Sequence, residues 1–184
     1  VQSYVFTMNN CSNITLENLN FFATTMNSTG SNNITVNNCL FSYPSCSKRM
    51  LGVTSHPLTT ELSNGQSNGN NNQPANFKFF QCLFEHTDGE AFVLHGPNNI
   101  IEDCYFHHID YSCGSLRYLQ NSIINRGGNC TFKNNTVHTA SASSVLSLGN
   151  APIISYNDIS NNGMLQDDGA LVQLPGQSLS LIHI

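Results

Sequence analysis

Six stretches of this chain follow the same nine-residue pattern, and that repetition limits its fold more than any other feature. They begin at Asn13 (NITLENLNF), Asn33 (NITVNNCLF), Asn76 (NFKFFQCLF), Asn98 (NNIIEDCYF), Asn129 (NCTFKNNTV) and Ala151 (APIISYNDI). The starts lie 20, 43, 22, 31 and 22 residues apart, so three intervals agree and two hold insertions. A unit of about 22 residues is too short to enclose a core alone. It can bury an apolar face only against its neighbours, which is the logic of a solenoid.

Aligning the units exposes three columns. Leu16, Val36, Phe79, Ile101, Phe132 and Ile154 form one, and Phe21, Phe41, Phe84, Phe106, Val137 and Ile159 another. Both are apolar throughout, as expected of the inward positions of strands. Between them run Leu19, Cys39, Cys82, Cys104, Asn135 and Asn157. That column is expected to be an interior ladder at a bend, with amides bonding along the axis and the cysteines as free buried thiols. A second strand follows in several units, at 91–96, 145–149 and 170–174. The predicted fold is all-β, a parallel β-helix of about 22 residues per coil.

Composition agrees and excludes alternatives. Charged residues are 9% of the 184, while 27 Asn and 21 Ser supply the polarity. Coiled coils and salt-bridged helices need far more charge. Six Lys plus Arg against a net charge of −5 leave no basic footprint for a nucleic acid. No apolar run is long enough to span a membrane. Six glycosylation sequons, at Asn10, Asn13, Asn27, Asn33, Asn129 and Asn134, are about what this composition produces by chance.

The N-x-[IV]-x-x-[NC]-x-[FI] repeat resembles the right-handed parallel β-helix proteins of the pectate-lyase-like superfamily, over residues 13 to 174. That resemblance implies a carbohydrate-active protein, extracellular or at the cell surface, cleaving or binding a polysaccharide as a glycoside hydrolase or polysaccharide lyase would. The alternative is a non-enzymatic adhesin or structural repeat. A single domain is expected over 1–178, with inserted loops at 42–75 and 111–128. The final six residues, 179–184, read as a non-native tail on what is expected to be a window onto a longer protein.

Overlaying the corner after the third column places chemistry on one edge. His86 falls under His108, Asp88 under Asp110, and His107 under His138. Titratable groups one coil apart shift each other's proton affinity and can divide acid and base roles. Asp88, Asp110, His108, His138 and Asp168 are the candidate catalytic residues; His86, His107, Arg117 and Asp167 are the candidate substrate contacts. HTDGEAF (86–92) and QDDGALVQL (166–174) resemble the aspartate motifs of polygalacturonase-type hydrolases, although 79 residues separate Asp88 from Asp167. Two coils place Asp168 roughly 10 Å from Asp110, near the spacing of inverting glycosidases. The competing role for Asp88-Gly89 and Asp168-Gly169 is a tight turn before the next strand. A lyase would need Arg117, Arg126 or Lys133 for a uronate, Tyr111 or His108 as base, or Ca2+ held by Asp88, Asp110 and Asp168. No other cofactor is expected. The expected partner is a polysaccharide, and the expected state a monomer.

Overall fold

A computed structural model describes residues 4–44, 59–65, 74–111, 121–141, 144–164, 171–173 and 181–182. Among them every regular element is a strand. The first coil holds β1 (Phe6–Asn9), β2 (Ser12–Glu17) and β3 (Asn20–Phe22); the second holds β4 (Met26–Thr29), β5 (Asn32–Asn37) and β6 (Leu40–Ser42). The third holds β7 (Thr60–Ser63), β8 (Lys78–Phe80) and β9 (Leu83–Glu85). The fourth holds β10 (Phe92–His95), β11 (Ile100–Glu102) and β12 (Tyr105–Ile109). The fifth holds β13 (Asn121–Asn125), β14 (Thr131–Lys133) and β15 (Thr136–Ala140). The sixth holds β16 (Ser144–Ser147), β17 (Ile153–Ser155) and β18 (Asp158–Asn162), and β19 (Val172–Gln173) and β20 (Leu181–Ile182) begin a seventh.

Every third strand pairs in parallel, giving sheets β1-β4-β7-β10-β13-β16-β19, β2-β5-β8-β11-β14-β17-β20 and β3-β6-β9-β12-β15-β18. We call these the first, second and third sheets. The chain is an all-β parallel solenoid, and no described helix is long and apolar enough to cross a membrane. The repeat register is the pairing register. Leu16, Val36, Phe79, Ile101, Phe132 and Ile154 are successive partners in the second sheet. Phe21, Phe41, Phe84, Phe106, Val137 and Ile159 are partners in the third.

Sequence periodicity suggests two strands per coil, and the structure has three. The reason is the bend column, which cuts what reads as one long strand into β2-type and β3-type strands. Exactly two residues separate these strands in all six coils, as at Asn18-Leu19 and Asp103-Cys104.

The corners explain the asparagines. Twenty described non-glycine residues have positive φ, and ten are Asn, a residue that tolerates the left-handed region better than most. Eighteen of them recur five residues apart within each coil: 13, 18 and 23; 33, 38 and 43; 76, 81 and 86; 98, 103 and 108; 129, 134 and 139; 151, 156 and 161. Each repeat thus opens on its first left-handed residue and turns three times. Exposed corner amides also bond along the axis: Asn38 Nδ2 donates to Asn18 Oδ1 at 2.7 Å, and Asn33 to Asn13. At the exit of the first sheet the chain needs glycine. A Cβ added to Gly127 would lie 1.8 Å from the Gly96 carbonyl oxygen, and one on Gly149 2.1 Å from that of Gly127.

The core is stacked rather than layered. Phe21 and Phe41 lie face to face at 4.5 Å, Phe41 and Phe84 at 4.7 Å, and Phe84 and Phe106 at 5.1 Å. Phe79 and Phe92 meet Phe84 edge-on, a favourable quadrupole geometry. The interior ladder behaves as expected. Asn157 Oδ1 accepts the Asn135 N–H at 2.8 Å, and Asn135 Oδ1 accepts the Cys104 N–H at 2.9 Å. Cys39, Cys82 and Cys104 are free thiols whose sulfurs donate to carbonyls two residues back. Burial pushes the Cys39 and Cys104 thiols up, while the bond from Cys104 is the main reason that Cys82 moves down. Cys46 and Cys113 lie outside the described residues.

Two segments read as insertions each contain a rung of the first sheet: Thr60–Ser63 and Asn121–Asn125. The remaining length differences fall at two of the three corners. From third sheet to first, connections run from three residues (23–25, 141–143) to seventeen (43–59), with eleven at 110–120 and nine at 163–171. From first sheet to second they run from two (10–11, 30–31) to fourteen (64–77), while the turn from second to third is always two. Long loops on solenoids commonly carry recognition. Leu181 and Ile182, inside the segment read as a tail, pair with Ile153 and Ile154.

Candidate functional site

The third left-handed column runs Ala23, Tyr43, His86, His108, Thr139 and Asn161. Its register is fixed by one recurring bond: the N–H of Ala23 donates to Ser42 O, of Tyr43 to Glu85 O, and of His86 to His107 O. The other two corner columns mostly carry amides and small polar groups. Here three successive coils carry rings.

These rings form a continuous ridge. Phe22, 68% exposed, meets Tyr43 edge-on at 5.9 Å. Tyr43 stacks on His86 at 4.8 Å, His86 packs at a tilt against His108 at 5.0 Å, and His108 neighbours Tyr111 at 5.2 Å. Tyr43, Tyr105 and Tyr111 are exposed, and Tyr105 lies 5.2 Å from His107.

All four histidines predicted on this edge are there. His107 pairs with His138 in the backbone register, and His86 packs against His108. Their roles differ. His138 is tied on both nitrogens: Asn161 Nδ2 donates to Nε2 at 2.8 Å, so Nδ1 carries the proton towards Thr139 Oγ1 at 2.7 Å. His86, His107 and His108, all half-buried, converge instead, with one ring nitrogen from each within 4.8 Å of the others. His107 Nε2 meets Glu85 Oε2 at 3.0 Å, and its Nδ1 lies 2.9 Å from His108 Nδ1. Burial is the main cause holding the His107 imidazole below its usual proton affinity; Glu85 opposes it, and His108 and His86 add to it.

The acids stand elsewhere. Asp88 is 6% exposed and Asp110 fully buried, so neither belongs to the exposed ring surface. The HTDGEAF motif turns inward as a bend: Thr87 Oγ1 donates to Gly89 O at 2.5 Å and accepts the Asp110 N–H at 3.0 Å. Both bonds belong to Thr87, which ties this bend to the following coil. Asp167, Asp168 and Arg117 lie outside the described residues. Lys133 faces outward and pairs with Glu102 at 3.0 Å.

Sequence reading passed over Glu61 and His95. His95 Nε2 lies 2.9 Å from Glu61 Oε1, in an open groove of about 260 Å³ shared with Asn27, Thr29 and Ser63. Glu61 belongs to a rung hidden in an apparent insertion, so no repeat column pointed to it. No protein-family model, curated protein or solved structure matches this chain.

Proposed function

We propose that the chain binds a neutral polysaccharide along the ring ridge of its third corner. The observation that carries this reading is the unbroken run Phe22, Tyr43, His86, His108 and Tyr111. Tyr43 and His86 cover one another's faces, so a sugar meets exposed ring edges and the Tyr43 and Tyr111 hydroxyls, which can exchange hydrogen bonds with its own hydroxyl groups. Coils rise about 4.8 Å each, a step comparable to a sugar residue, so a repeating polymer meets a repeating surface. A net charge of −5 disfavours a polyanion. Burial of Asp88 and Asp110 favours binding over carboxylate-driven cleavage. The pectate-lyase-like resemblance supports the same substrate class and an extracellular or cell-surface setting.

Affinity electrophoresis against neutral and acidic polysaccharides tests the proposal. Retardation by a neutral polymer is expected, and Phe22→Ala, Tyr43→Ala and Tyr111→Ala should each weaken it several-fold. Incubation should produce neither new reducing ends nor an ultraviolet-absorbing unsaturated product. Undiminished retardation of all three variants would remove the ridge from the argument.

A further inference from the structure

We infer that His86, His107 and His108 bind one divalent transition-metal ion of the zinc class. The site shares His86 and His108 with the ridge, but the inference rests on the convergence of their ring nitrogens with that of His107 and not on carbohydrate binding.

Convergence is produced by the fold. Adjacent residues of a regular strand point to opposite sides, so His107 and His108 should diverge. They meet because His108 sits in the left-handed region, φ 53°, at the corner. His86, also left-handed at φ 53°, brings the third ring from the neighbouring coil. The resulting donors lie within 4.8 Å of one another, and the closest pair at 2.9 Å. Zinc takes imidazole nitrogens at about 2.0–2.1 Å, which places tetrahedral donors roughly 3.3 Å apart. Coordination therefore requires the half-buried rings to rotate so that the widest gap closes by roughly 1.5 Å.

Orientation is also prepared. His107 Nε2–H donates to the Glu85 carboxylate, which leaves the His107 Nδ1 lone pair facing the other rings, 2.9 Å from His108 Nδ1. The proton that His108 places between these two nitrogens is released when the ion binds. A carboxylate behind a ligating imidazole orients the ring and raises its donor strength. Three nitrogens with no oxygen among them suit zinc, copper or nickel and are poorly matched to Ca2+ or Mg2+. They also leave a coordination position open to water or a substrate oxygen.

Calorimetric titration of the untagged 184-residue chain with Zn2+ tests the site, with Co2+ as its visible-absorbing substitute. One ion per chain is expected, with no response to Ca2+. His86→Ala, His107→Ala and His108→Ala should each weaken binding at least tenfold. Glu85→Gln, which keeps every ligand, should weaken it by about 10–100-fold, and His138→Ala should leave it unchanged. In the intact wild-type chain, Co2+ should shift the imidazole resonances of these three histidines before any other, a readout independent of how variants fold. Absence of binding, equal response to Ca2+, undiminished binding in the triple variant, or first shifts at other histidines would overturn the inference. A wild-type chain that binds Zn2+ but no polysaccharide would refute the ridge and leave the metal site standing.

Discussion

Removing one amide from the interior ladder measures how much corner hydrogen bonds contribute to this solenoid. Asn135 is 1% exposed. Its Oδ1 accepts the Cys104 N–H at 2.9 Å, and its Nδ2 donates to Ile101 O at 3.0 Å and Asn157 Oδ1 at 3.2 Å. Asn135→Ala leaves a buried N–H with no acceptor, at about 1–3 kcal/mol, and deletes two further bonds of about 1 kcal/mol each. The expected loss is about 3–5 kcal/mol. For a chain of 184 residues that corresponds to a fall in Tm of roughly 6–20 °C. Asn135→Cys separates the hydrogen-bond account from simple cavity formation. Cysteine already fills this column in three coils, its sulfur donating to carbonyls of its own coil and of the preceding one. The Cys variant should lose less than half as much as the Ala variant. Thermal and urea unfolding followed by circular dichroism reads both, with a tertiary probe to check that coils unfold together. An Ala variant within 2 °C of wild type, or a Cys variant as unstable as Ala, would refute the reasoning.

Three further outcomes are expected. Phe84→Ala, which removes a ring touching Phe41, Phe79, Phe92 and Phe106, should cost about 3–5 kcal/mol in urea unfolding; a loss under 1 kcal/mol would mean that the stack is not what holds neighbouring coils together. Gly127→Ala pushes a methyl into the Gly96 carbonyl and should destabilise by more than ~1 kcal/mol, whereas a neutral or stabilising change would contradict the close approach of the two backbones. In metal-free protein the His107 imidazole should titrate below 6.5, because burial outweighs Glu85. Its folded form then holds fewer protons than the unfolded chain, so its contribution to stability is full above 6.5 and declines as pH falls below that value; an NMR midpoint above 6.5 would show that Glu85 wins.

How far the site could be read from sequence follows from how each residue is placed. His107 and His138 lie on paired strands, so counting residues in register was enough to bring them together. His86 and His108 could also be aligned by counting, but their packing depends on a left-handed corner. The signal was present: residues five apart in every unit turn the chain, and Tyr43, His86 and His108 occupy the third such position where Asn161 stands in a later coil. Asp88 and Asp110 shared the same linear neighbourhood yet turned inward, because depth at a corner is set by local φ and by bonds such as those of Thr87. Glu61 and His95 were out of reach, since the β7 rung carrying Glu61 sits within irregular text.

The amino-acid order alone determined the solenoid. Apolar side chains returning at a constant interval have one economical place to go, against the same side chains of the next turn, and that fixes the pairing of the described rungs of the second and third sheets. Direction and depth were left to tertiary structure. Whether two neighbouring histidines diverge or converge, and whether an aspartate faces solvent or core, hangs on a single backbone angle at each corner, held there by the coils on either side.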